Sequence, residues 1–223
     1  MKKILLFPLF LLLASCTQTG TMSMDNERAK NGTEQVEAFV TSEVEQDYGK
    51  AFENASNLQL FLFEDLSTVT FEGEGNEFAS YSIKTNWLSE SYVRYEQDNG
   101  GVILAKYYRV LADGIYLIAQ EADETTQKTI EQLEQLPNLS TILISPVQVG
   151  TTFDGWTIVA VDAQYKTPYQ AFEQVVVLEK QTDSITERHY YVSCIGAIAY
   201  EFETTDENGE VSIISSKLAS ITY

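Results

Sequence analysis

The run Glu77-Phe78-Ala79-Ser80-Tyr81-Ser82-Ile83-Lys84-Thr85-Asn86-Trp87-Leu88 decides the fold class. Ala79, Tyr81, Ile83, Thr85 and Trp87 fall on one face, and Phe78, Ser80, Ser82, Lys84 and Asn86 fall on the other. Side chains alternate across a strand, so a period of two with one apolar face predicts a half-buried antiparallel strand. Ser91–Gln97 then alternates Tyr92, Arg94 and Glu96 against Val93, Tyr95 and Gln97. Asp98-Asn99-Gly100-Gly101 follows, and Asn-Gly tolerates the positive φ that a tight hairpin needs.

The same texture extends towards the C-terminus. Val102–Leu111 and Ile115–Glu121 form the next expected pair, turned by Ala112-Asp113-Gly114. Thr125–Leu136 breaks the pattern: Ile130, Leu133 and Leu136 recur at helical spacing, and Pro137 stops the run. That spacing predicts one short amphipathic helix near the middle of the domain. β character resumes in Leu139–Ser145, Trp156–Ala163, Ala171–Lys180, Ser184–Ile195, Ala197–Thr204 and Val211–Thr222, with Asp206-Glu207-Asn208-Gly209 as the last turn. Many short strands without a βαβ rhythm predict a mainly β fold, with antiparallel sheets forming a sandwich or an open barrel.

The other end of the chain is different in kind. Lys2 and Lys3 precede an apolar stretch, Ile4–Leu13, and then Leu13-Ala14-Ser15-Cys16. A basic start, an apolar segment and small residues before a cut are the parts of a secretory signal. The stretch is interrupted by Pro8 and falls well short of the roughly 20 apolar residues of a helical span. Cys16 directly after Leu13, Ala14 and Ser15 resembles the lipobox of bacterial lipoproteins. That resemblance implies cleavage before Cys16 and acylation there with long chains such as palmitate, which hold the protein on the bilayer without spanning it. Residues 1–15 are thus expected to be a signal peptide, 16–57 a lipidated cysteine and polar tether, and 58–223 an antiparallel β domain. The expected location is the outer face of the bacterial cytoplasmic membrane.

Further motifs match a wider pattern. Phe71-Glu72-Gly73-Glu74-Gly75-Asn76-Glu77-Phe78-Ala79, the turn Asn99-Gly100-Gly101, Ile144–Thr151, Lys166-Thr167-Pro168 and Tyr190–Phe202 occur in order along 58–223. In this order they resemble a group of uncharacterised lipoproteins from Gram-positive bacteria. The resemblance implies an extracytoplasmic antiparallel β domain and carries no catalytic residues. Two segments depart from the group's pattern. Tyr169-Gln170-Ala171 replaces an Ala-Gly turn, and Cys194-Ile195-Gly196-Ala197 replaces Gly-Val-Gly-Leu, losing a permissive backbone position.

Composition narrows the partners. The chain has 33 Asp and Glu against 14 Lys and Arg, a net charge of −19, and loss of Lys2 and Lys3 makes it more acidic still. A surface of that sign argues against nucleic acid and against an electrostatic hold on anionic lipid. The expected partners are the bilayer, through Cys16, and a protein or small-molecule ligand that the sequence does not name. Only one other cysteine exists, Cys194, expected as a buried strand thiol without a disulfide partner if Cys16 carries lipid. His189, the one histidine, is expected at a surface or hydrogen-bonded position.

No nucleophile, phosphate-loop or zinc spacing is present, so no cofactor, metal or catalytic residue is assigned. Glu72, Glu74 and Glu77 lack calcium-loop spacing, and Asp123-Glu124 reads as an acidic loop tip. The surplus is aromatic: 13 Tyr, 11 Phe and 2 Trp. Tyr95, Tyr107, Tyr108, Tyr116, Tyr165, Tyr169, Tyr190 and Tyr191 are candidates for a groove, with Tyr107, Tyr108, Tyr190 and Tyr191 foremost as ligand-binding residues. Core packing of a β domain is the competing use for them. The function expected is non-catalytic binding at the cell envelope. An envelope hydrolase with paired carboxylates and a carrier of lipid or another apolar ligand are the alternatives.

Overall fold

The computed structural model describes residues 57–207 and 209–223. The expected leader, Cys16 and the tether up to residue 56 lie outside the described residues. A 3-10 turn, Asn57–Phe61, opens the described chain. Twelve strands follow: β1 (Thr68–Glu74), β2 (Tyr81–Ser89), β3 (Tyr92–Asp98), β4 (Ile103–Val110), β5 (Gly114–Ala122), β6 (Ser140–Ile144), β7 (Thr152–Phe153), β8 (Trp156–Lys166), β9 (Ala171–Gln181), β10 (Ile185–Val192), β11 (Gly196–Thr205) and β12 (Val211–Thr222).

They form one antiparallel sheet in the order β6-β5-β4-β3-β2-β1-β12-β11-β10-β9-β8-β7. The sheet rolls into a nearly closed barrel, which settles the sandwich-or-barrel alternative. Every neighbouring pair joins strands consecutive in the chain except β1–β12, where the first strand meets the last, Thr68 opposite Thr222. The two edges, β6 and β7, share no strand ladder. Near that seam the Asp154 carboxylate accepts a hydrogen bond from the Thr141 N–H at 2.9 Å, and this bond holds the Asp154 acid below its ordinary pKa.

Alternation carries through to burial. Val69, Phe71, Ile83, Val93, Tyr95, Leu178, Tyr191 and Leu218 join one interior cluster drawn from strands all round the barrel. Residues 58–63 close one end. The Leu60 carbonyl accepts from the Cys194 N–H at 2.7 Å, and the Phe63 carbonyl accepts from the Trp87 indole at 3.0 Å. The Phe63 N–H donates to the Tyr95 hydroxyl at 2.9 Å. These partners lie at the β10–β11 turn and along β2 and β3, so the segment is pinned from several sides.

A second, smaller core lies on the outer face. Helix α1 (Ile130–Glu134) is shorter than the helix expected over Thr125–Leu136. The Thr129 hydroxyl and the Gln132 side chain form a reciprocal capping box at its start, as their spacing allows. Five residues are too few to be helical alone, so tertiary contacts hold them. Leu133 packs with Ala105, Tyr107, Ile118 and Ala119, and the Arg109 guanidinium donates to the Leu133 and Leu136 carbonyls at 2.7 and 3.1 Å.

Two expectations are corrected in this outer region and at the barrel end. Glu124 is no solvated loop tip: its side chain is 3% exposed and accepts from the Tyr107 hydroxyl at 2.7 Å and from Arg94 Nε at 3.0 Å. The buried cation and phenol make it an anchor for the segment leading to α1. Cys194 is not on a strand, because β10 stops at Val192, and it is exposed in the turn with φ 67°. It holds the left-handed conformation where the resembling group has glycine.

Leu66 has the same kind of backbone, φ 61°, while 75% exposed. A left-handed residue costs roughly 1–2 kcal/mol unless it is Gly or, in part, Asn or Asp. Leu66→Asn is therefore expected to raise the urea midpoint slightly, by up to about 1 kcal/mol in stability. An unchanged or lower midpoint would show that the leucine side chain contributes packing that its exposure hides.

Candidate functional site

A cavity of about 380 Å³ lies inside the barrel, within the roughly 300–1,000 Å³ range of small-molecule sites. Phe61 and Phe63 line it from the closing segment, and Tyr81, Tyr95, Tyr108, Tyr191 and Tyr200 line it from the strands. The rings pack on one another: Tyr95 meets Phe63 at 5.4 Å and Tyr108 at 5.0 Å between centroids. Burial pushes the phenols of Tyr81, Tyr95, Tyr108 and Tyr191 well above the ordinary tyrosine value, and that of Tyr200 to about 12. The aromatic wall is therefore uncharged throughout the physiological range.

Polar groups are few and grouped. Tyr95, Lys106 and Gln120 are aligned across β3, β4 and β5, with Gln97 one pleat along β3. All four line the cavity, as do the polar side chains of His189 and Ser216. Lys106 donates to the Gln97 side-chain oxygen at 2.7 Å, and its pKa is lowered by burial. Among the described residues no Asp or Glu lines the cavity, although the chain carries 33 of them.

His189 also reaches this interior. Its ring lies 4.3 Å from Trp156 and 4.8 Å from Tyr200 between centroids. Desolvation lowers its pKa to about 4, so the imidazole is neutral at physiological pH. The surface position considered for it is corrected: β10 turns His189 inwards, in step with Tyr191.

The four foremost tyrosines divide evenly. Tyr108 and Tyr191 line the cavity; Tyr107 and Tyr190 do not. Tyr107 lies in the outer core beneath α1. Tyr190 stacks on Tyr165 at 4.2 Å, and both phenols donate to the Glu201 carboxylate at 2.6 Å. The cause is local: each Tyr-Tyr pair spans a register shift, at Tyr107/Tyr108 and Tyr190/Tyr191, and adjacent strand residues point oppositely. Of the wider candidates Tyr95 joins the cavity, whereas Tyr116, Tyr165 and Tyr169 stay outside its lining.

Tyr81, Tyr200 and Lys106 were not among the sequence candidates. Tyr81 shares a face with Ile83, and Lys106 shares one with Tyr108, so alternation alone carried the signal for both. Among the described residues no group of His, Cys, Asp and Glu could hold a metal ion, and no helix is long and apolar enough to cross a membrane.

Fold and interior together define an antiparallel β-barrel with an aromatic-walled internal cavity. No protein-family model matches the chain, and no curated protein matches it. Among solved structures the chain is similar to one from Bacteroides fragilis, described as a "putative exported protein with YmcC-like fold". Identity is 14%, the match covers 73% of this chain and 98% of that one, and the TM-score is 0.43.

Proposed function

We propose that this protein is a lipid-anchored extracytoplasmic binding protein: Cys16 attaches it to the membrane, and the barrel cavity takes a small ligand. The aromatic cavity carries the binding half of this reading. Its walls bury an apolar body, and its few polar side chains, Gln97, Lys106 and Gln120 among them, can orient a ligand. The leader and the Leu13-Ala14-Ser15-Cys16 sequence support the anchoring half. The paired-acid hydrolase finds no acids in the cavity among the described residues, and no other observation favours it.

Native mass spectrometry of the full chain from its own membranes tests the binding half. A bound small molecule, or saturable uptake of the neutral fluorophore phenylnaphthylamine, is expected. Absence of both overturns it. For the anchor, Cys16→Ala is expected to move the protein from the membrane fraction into the medium. A sulfur that carries lipid cannot also close a disulfide, so recovery of Cys16 bonded to Cys194 from native membranes overturns the anchor.

A further inference from the structure

The interior is selective as well as apolar. An ammonium offers three donors, and one of those on Lys106 has a side-chain acceptor in Gln97. No carboxylate pairs with Lys106 among the described residues. Two residues along β4, the Tyr108 hydroxyl also lines the cavity and has no hydrogen-bond partner among them. An unneutralised cation and an idle phenol thus share a space with aromatic walls and no negative charge. Burying an unpaired charge is costly, and an anion brought by a ligand would remove that cost.

We propose that the cavity binds a small amphipathic anion, with its apolar body against Tyr95, Tyr191 and Tyr200 and its anionic head on Lys106, assisted by Tyr108. This rests on the reading of the cavity as a ligand site and names the chemical class it takes. Charge favours an anion over a cationic or neutral occupant, either of which would leave the half-buried Lys106 without a counter-charge. Size decides against a two-chain lipid: 380 Å³ is near the lower end of the range for small-molecule pockets. The outer net charge of −19 opposes an approaching anion. That repulsion acts through water and is screened beyond about 10 Å at ordinary salt, whereas the Lys106 contact forms where solvent is scarce.

Two fluorophores with the same aromatic body separate the charge from the fit: anilinonaphthalene sulfonate and neutral phenylnaphthylamine. Both are titrated against the full chain in phosphatidylcholine nanodiscs, with empty nanodiscs subtracted. The sulfonate is expected to bind about tenfold or more tighter than its neutral analogue, the worth of one charged hydrogen bond. Lys106→Met should abolish that preference by weakening the sulfonate, without lowering the melting temperature, and Lys106→Arg should keep most of it. Equal affinities for both probes, unaltered in Lys106→Met, overturn the anionic class and leave the cavity reading standing. Failure of both probes to saturate overturns the cavity reading itself.

Discussion

Tyr107→Ala is expected to destabilise the protein by about 3–5 kcal/mol, the usual cost of removing a large aromatic from a packed site. Tyr107 is fully buried although it lies outside the barrel, so the loss falls on the outer core and not on the cavity. Its hydroxyl donates to the Glu124 carboxylate at 2.7 Å and accepts from the Lys128 N–H at 3.0 Å. Through these bonds one side chain pins the approach to α1 against β4. Tyr107→Phe keeps the ring and is expected to cost about 1–3 kcal/mol for the charged hydrogen bond alone. Urea unfolding gives both figures. Amide exchange over 123–139 should accelerate in Tyr107→Ala while ligand-probe binding is retained. A cost below about 1 kcal/mol, or faster exchange spread over the whole barrel, would show that the outer core is not a separate unit.

Acid is expected to weaken the fold through His189 before it does so through the carboxylates. The folded imidazole titrates at about 4 against an ordinary 6.5, so between those values the unfolded chain binds a proton that the native chain refuses. Stability therefore rises with pH across this window. The contribution is complete above about pH 6.5. Each pH unit inside the window is worth about 1.36 kcal/mol, so the loss reaches about 2 kcal/mol at pH 5 and about 3 at pH 4. Glu74, Glu131 and Asp154 have lowered pKa values, so what they contribute is present above the ordinary carboxylate range and is lost below it. Urea midpoints at pH 7, 6 and 5 should fall in the native protein and stay nearly flat in His189→Phe. Parallel slopes would mean that the native barrel admits a charged imidazole.

The strands were legible in the sequence because alternation is a local property. The face of Tyr81, Ile83 and Thr85 and the turn at Asn99-Gly100 need no distant partner to be read. The join of β1 to β12 was not legible, since the pairing of Thr68 with Thr222 is a contact between residues far apart in the chain. The site was half legible for a sharper reason. Tyr107-Tyr108 and Tyr190-Tyr191 read as two blocks, yet adjacent strand residues face opposite ways, so each pair had to contribute one tyrosine to the interior. The bulges that adjust this register leave no compositional mark. Lys106 escaped notice because a lysine on a strand ordinarily faces water; it draws attention only once its neighbours on the same face are known to be apolar.

The pairing of β1 with β12 also sets an order of events. A chain delivered N-terminus first, from a ribosome or through a secretion channel, can form the β1–β5 hairpins early. The ladder that joins them to the second half cannot form until Thr222 has emerged. Contacts between such distant residues slow folding, and until they form the apolar face of β1 lies on an open edge, a template for wrong pairing. The twelve-residue β12 therefore acts as a completion signal: the interior comes into being only once that strand has been made and delivered.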